Sequence, residues 1–131
     1  MQPDQQTDDA SGLSPHVREI YETRFAGAEA ERQRLWRLLA RHFFQQWIDP
    51  DSTVLDLGAG YCEFINNIQA RARWALDLNP DTALKAAPGV RVLAQPVSER
   101  WAIADGSLDC VFSSNFFEHL PTRREIGRAH V

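Results

Sequence analysis

This chain is poor in several things that would narrow its function at once. Among its 131 residues only two are cysteines, Cys62 and Cys110. Two cysteines make neither a disulfide framework nor a metal site, and Cys62 has no partnered base nearby in sequence to activate it as a nucleophile. No apolar run approaches the length of a membrane span, and the polar amino terminus does not read as a signal peptide. An excess of basic residues is missing as well: 14 Lys and Arg stand against 18 Asp and Glu, a net charge of −4. That balance removes the electrostatic ground for expecting nucleic acid as a partner. What remains is an ordinary globular composition, 44% apolar, on a chain of single-domain length. The default setting for such a chain is the cytoplasm.

The most informative stretch is Thr53-Val54-Leu55-Asp56-Leu57-Gly58-Ala59-Gly60-Tyr61-Cys62-Glu63-Phe64. Val54 to Leu57 is a short apolar run broken only by Asp56, the pattern of a buried parallel strand. Two glycines follow, and an apolar-periodic segment opens at Phe64. Strand, glycine turn and helix together begin a nucleotide-binding βαβ unit. A dinucleotide fingerprint needs Gly-x-Gly-x-x-Gly and sets a pyrophosphate on the helix N-terminus. Here Glu63 stands three residues after Gly60, and a carboxylate at that mouth repels a diphosphate. An acid just ahead of the first glycine suits a ligand carrying a cationic amine. The bland alternative is an ordinary strand-turn with two glycines.

Asp56-x-Gly58-x-Gly60 resembles the first motif of class I S-adenosylmethionine-dependent methyltransferases. A third glycine, common in that family, is replaced here by Cys62. A second match lies downstream, where Asp105-Gly106 makes a turn and Leu108 to Ser113 an apolar strand containing Asp109. Asn115, Phe116, Phe117, Glu118, His119 and Leu120 follow, and the whole resembles the family's fourth motif. Between the two, Trp74 to Leu78 reads as a second strand with Asp77 twenty-one residues after Asp56. A strand-end acid at that distance can accept hydrogen bonds from a ribose diol. The alternative for Asp77 is a helix cap ahead of Pro80, although Asn79 is the better cap. The resemblance runs from Val54 to Leu120.

The resemblance implies S-adenosylmethionine as cofactor. Asp56, Gly58, Ala59, Gly60 and Tyr61 would face its methionine part, and Asp77 its ribose. Leu78, Val97, Ser98 and Asn115 complete the implied binding set. The acid that often recognises adenine in this family is missing near Val97 and Ser98, which leaves backbone groups, Ser98 or Glu99. Tyr61, Phe116 and Phe117 are aromatic candidates for the sulfonium, with core packing as the alternative. His119 is a weak candidate for a base, a surface or capping histidine being the plainer reading. The acceptor is expected to be a small molecule, and the sequence leaves the oligomeric state open.

The implied architecture is α/β: the amino-terminal half of a Rossmann-like, doubly wound, mostly parallel sheet, preceded by a helical extension. Residues 1–13 read as a disordered tail, 14–49 as the extension and 50–125 as the partial cofactor-binding domain. Ser14-Pro15 starts a first helix with apolar positions Val17, Ile20, Tyr21 and Phe25, punctuated by Gly27. A second helix is expected over 28–47, with Leu35, Leu38, Leu39, His42, Phe43 and Trp47 as its stripe and Asp49-Pro50-Asp51 as its stop. His42 there reads as a core or boundary histidine. Tyr21, Arg24 and Phe25 could shape the substrate side, or the helices could simply cover the sheet. Further elements are expected at 64–71 (helix), 81–87 (helix) and 90–93 (strand).

The family's sheet continues beyond a fourth strand. The last six residues, Ile126 to Val131, match one reading frame through a common sequencing adapter and are expected to be non-native. On that expectation the fourth strand presents a bare apolar edge and the chain alone is poorly soluble. Two rival readings stand beside the methyltransferase: a nicotinamide-dependent oxidoreductase, and a non-catalytic scaffold.

Overall fold

The computed structural model describes residues 14–114 and Phe116. The chain divides into two units, residues 1–34 and 35–131. One α-helix, α1 (Pro15–His42), contributes to both. It starts where the Ser-Pro signal puts it: Val17 N–H donates to Ser14 Oγ at 3.3 Å. Gly27 does not divide it. A lone glycine costs a helix about 1 kcal/mol without breaking it, and Ala26, Ala28 and Ala30 around it are strong helix formers. Within the first unit Ile20 and Phe25 are exposed.

In the second unit the face expected to be buried is largely exposed. Leu35, Leu38, Phe43 and Trp47 are each about half exposed or more, and His42 is exposed. The helix instead packs through Trp36 and the fully buried Ala40, one turn apart. A small residue lets the helix backbone come close, and the large neighbours on either side then fill the space. Trp36 stacks on Phe44 at 6.2 Å, and Phe44 meets Phe112 at 5.1 Å. After α1 a 3-10 turn (Phe44–Trp47) replaces the last expected helical residues. Asp49 then closes the connection, its Oδ1 accepting from Asp51 N–H at 2.8 Å.

Four strands follow: β1 (Thr53–Leu57), β2 (Ala72–Leu76), β3 (Val90–Leu93) and β4 (Cys110–Ser113). They form one all-parallel sheet in the order β3-β2-β1-β4. With its helices this is an α/β arrangement. Side chains alternate between two cores, as the two-residue period of a strand requires. Val54, Ala75, Val92, Cys110 and Phe112 point to one face, with Ala40, Ile48, Phe64, Ile65 and Ile68. Leu55, Leu57, Trp74, Leu76 and Leu93 point to the other, covered by Val97, Trp101, Ile103 and Leu108 from the β3–β4 connection. β1 is buried along its whole length, which its near-continuous apolar run anticipates.

The helix expected over 64–71 is reduced to a 3-10 turn, Ile65–Asn67. Its carbonyls are taken by other donors. Arg73 Nη1 donates to the carbonyls of Ile65 and Asn66, at 3.2 and 3.3 Å. Asn66 spans away to the next connection, donating to Lys85 O and accepting from Ala87 N–H. Gln45 grips Gln69 by both its N–H and C=O. Side chains that claim these carbonyls and amides compete with the bonds that would propagate a helix. β2 consequently begins at Ala72 rather than Trp74, and Leu78 lies beyond it. The short helix α2 (Asp81–Lys85) stops early because Asn66 takes the Ala87 amide. Asp109, expected inside the fourth strand, precedes it: its Oδ2 accepts from Thr53 N–H at 2.8 Å and its N–H donates to Thr53 O. Among the described residues no helix is long and apolar enough to cross a membrane.

Candidate functional site

The strand order reverses at β1, whose neighbours are β2 on one side and β4 on the other. In open parallel sheets the crevice beyond the carboxyl ends of strands at such a reversal is the usual ligand site. Gly58-Ala59-Gly60-Tyr61 leaves β1 at that end, and Asp77 follows β2 beside it. Gly58 N–H and Ala59 N–H both donate to Leu76 O, at 2.8 and 3.3 Å. These bonds bend the glycine turn over the tip of β2.

Asp77 joins the two strand ends. Its Oδ2 accepts from Gly60 N–H at 2.8 Å and its Oδ1 from Asn79 N–H at 2.9 Å. Asn79 in turn accepts from Asp81 N–H at 2.9 Å. Asp77 therefore orders the loop ahead of α2 and also tethers the glycine turn. A carboxylate has about four lone-pair sites, so each oxygen keeps capacity for a ligand hydroxyl.

The two glycines serve different ends. Both have left-handed backbone, φ +73° at Gly58 and +54° at Gly60, which glycine adopts freely. A Cβ on Gly58 would collide with Phe116 at its Cβ, Cγ and Cδ2, whereas one on Gly60 would meet nothing within 4 Å. The close approach at Gly58 is thus made by an aromatic side chain of the chain itself. The open space lies at Gly60. Cys62, at the position of the family's third glycine, is also left-handed, with φ +61°. Its side chain is fully buried and donates to Thr82 O at 3.6 Å.

Asp56 does not reach the surface. It is 3% exposed, and its carboxylate accepts from the backbone of Ile65. Burial pushes its pKa from 3.8 up to about 7, the Ile65 hydrogen bond opposes this, and the charges of Asp77 and Glu63 add to it. The partly exposed carboxylates around the turn are Asp77 and Glu63. The same environment pushes the Cys62 thiol up to about 12, chiefly through burial, with Asp56, Asp77 and Glu63 contributing. Thiolate is the reactive form, so iodoacetamide at pH 8 should label Cys62 only as fast as the protein unfolds. Peptide mapping by mass spectrometry checks this, and rapid native labelling of Cys62 would contradict it.

Of the remaining expected residues, Tyr61 is half-buried with the Lys85 ammonium 5.6 Å from its ring centre. Leu78 is 65% exposed at the same end of the sheet. Val97 is buried in the second core, and its carbonyl accepts from Trp101 Nε1 at 3.2 Å, so only its backbone could face a ligand. Ser98 is half-buried. Asn115, Phe117 and His119 lie outside the described residues. One residue that sequence reasoning passes over is Thr82. It is fully buried, and its hydroxyl donates to Gly60 O at 2.7 Å. No motif flags it, because its partner lies twenty-two positions away.

Among the described residues no group of three His, Cys, Asp or Glu side chains could hold a metal ion. A separate cavity of about 750 Å³ near the start of the sheet is lined by Arg41, Gln45, Asn66, Asn67 and Arg73. Most of these polar groups already hold the backbone around the 3-10 turn. No family model, curated protein or solved structure matches the chain.

Proposed function

We propose that this chain is the cofactor-binding part of a class I, Rossmann-like S-adenosylmethionine-dependent methyltransferase acting on a small-molecule acceptor in the cytoplasm. The observation that carries the reading is the pairing of the Asp-x-Gly-x-Gly turn with Asp77 across adjacent strand ends, 2.8 Å apart at Gly60 N–H. Open space at Gly60 leaves room for a ligand against the backbone, and the Asp77 oxygens keep lone pairs for a ribose diol. Glu63 and Asp77 favour a cationic amine and disfavour a diphosphate.

When bound, the cofactor supplies a methyl group already activated as a sulfonium. The chain's task is to hold that group, orient the acceptor behind it and keep water away. Gly60 and Tyr61 would lie along the methionine part. Asp77 would hold the ribose, and Leu78 and Ser98 would flank the base. Asp56 would act from beneath, keeping the Ile65 end of the turn in place. The acceptor would supply an O, N, C or S nucleophile. A general base is required only where that atom must lose a proton, and His119 is the weak candidate for it.

Titration calorimetry tests the reading. S-adenosylhomocysteine should bind, and Asp77→Asn should weaken binding by about tenfold or more, the effect of losing a charge-assisted hydrogen bond. Binding of a nicotinamide cofactor in place of S-adenosylhomocysteine would reverse the assignment. Absence of binding to either would favour a non-catalytic scaffold.

A further inference from the structure

The backbone of Gly60 is held at both its N–H and its C=O by the connection that follows β2. Its N–H donates to Asp77 Oδ2 at 2.8 Å, and its C=O accepts from Thr82 Oγ1 at 2.7 Å. A return bond runs the other way, from Cys62 Sγ to Thr82 O at 3.6 Å. Thr82 and Cys62 are both fully buried. The glycine turn and α2 are therefore joined by a reciprocal pair of side chain-to-backbone bonds, the one from Cys62 buried and the one from Thr82 part-buried. Gly60 is left-handed with nothing packed on its open side. Its orientation is consequently set by these bonds and not by contacts above it.

We propose that Thr82 is a positioning residue for the glycine turn: its buried hydroxyl fixes the Gly60 carbonyl, and so sets how well the exposed face of that turn accepts an amino-acid-tailed nucleoside. This rests on the methyltransferase reading. Thr82 is sealed beneath the turn and acts only through Gly60. Valine matches threonine in shape but lacks the donor, so Thr82→Val leaves the part-buried Gly60 carbonyl without its protein partner. The turn then relaxes to find another donor, and the Asp77 tether is strained with it.

The test compares two pairs that differ only in the hydroxyl, wild type against Thr82→Val and Thr82→Ser against Thr82→Ala. Dissociation constants for S-adenosylhomocysteine are measured calorimetrically on folded protein well below its melting temperature. In each pair the member without the hydroxyl should bind about tenfold more weakly, while Thr82→Ser should stay close to wild type. The second pair decides the matter if Thr82→Val fails to fold. A purely structural role would lower the melting temperature and leave the constants of the folded protein unchanged, and that result overturns the proposal. Amide hydrogen exchange at Gly60 separates failure here from failure of the methyltransferase reading. If wild type binds no S-adenosylhomocysteine, the functional reading falls, yet Gly60 exchange should still quicken by about tenfold without the hydroxyl. Equal exchange rates would overturn the clamp itself.

Discussion

Asp56→Asn should remove most of the dependence of stability on pH between about 4 and 7, and should make the protein more stable at pH 8. The folded carboxyl titrates at about 7 because it is buried; the unfolded one titrates at 3.8. Between those values the folded state holds a proton that the unfolded state has lost. The stability that this group contributes is therefore complete below 3.8 and is lost as the pH rises through about 7. The gap between the two values corresponds to about 4 kcal/mol at most. Asparagine has nearly the shape of the protonated acid, and its side-chain oxygen can still accept from Ile65 N–H. The groups facing Asp56 are Asp77, Glu63 and Cys62, and all of them stay in place in the variant. Urea unfolding at a series of pH values measures the effect. Wild type should lose stability steadily from pH 4 to 7 and the variant much less. Parallel curves would show that Asp56 is not buried as described.

Gly58→Ala should cost about 2–5 kcal/mol, whereas Gly60→Ala should cost about 1–2 kcal/mol. Both substitutions place a side chain on left-handed backbone, a penalty of about 1–2 kcal/mol. Only at Gly58 does the new methyl run into another residue, the Cβ and ring of Phe116, and overpacking adds about 1–3 kcal/mol. A double-mutant cycle identifies the cause. In a Phe116→Gly background, which removes the Cβ as well as the ring, the excess cost at Gly58 should vanish, while the cost at Gly60 should not change. Equal losses at the two glycines would place Phe116 away from the turn. The pair also separates stability from binding: Gly60→Ala leaves the fold nearly intact but fills the open space against which a ligand would lie.

Much of the sheet could be read from local pattern. The run Val54 to Leu57 is buried as a strand throughout. Val90–Leu93 has the expected bounds. Ser14 caps α1, and Gly58 and Gly60 take the positive φ that a tight turn needs. These features depend on a residue and its immediate neighbours, so the sequence carries them directly. The helix expected at 64–71 shows where that reasoning stops. Its apolar spacing is helical, but the residues that claim its backbone groups, Gln45, Ser52 and Arg73, arrive from elsewhere in the chain. The helical face failed for a related reason. Periodicity marks the stripe through Leu35 and Leu38, whereas the face that packs carries Trp36 and Ala40, because it meets Phe44 and Phe112 from later in the chain.

The sequence by itself determined that a glycine turn follows a buried strand, that acids lie near it, and that a second acid ends the next strand. Those are matters of residue type and spacing. The tertiary structure alone decided what each acid does. Strand pairing puts Asp77 beside Gly60, where it tethers the turn, while Asp56 is buried within β1 and its pKa is raised to about 7. It also decided that Phe116 covers Gly58 and that Thr82 holds Gly60 from below. Hydrogen-bond geometry and desolvation depend on which distant groups come within about 3 Å, and only the folded sheet brings them that close.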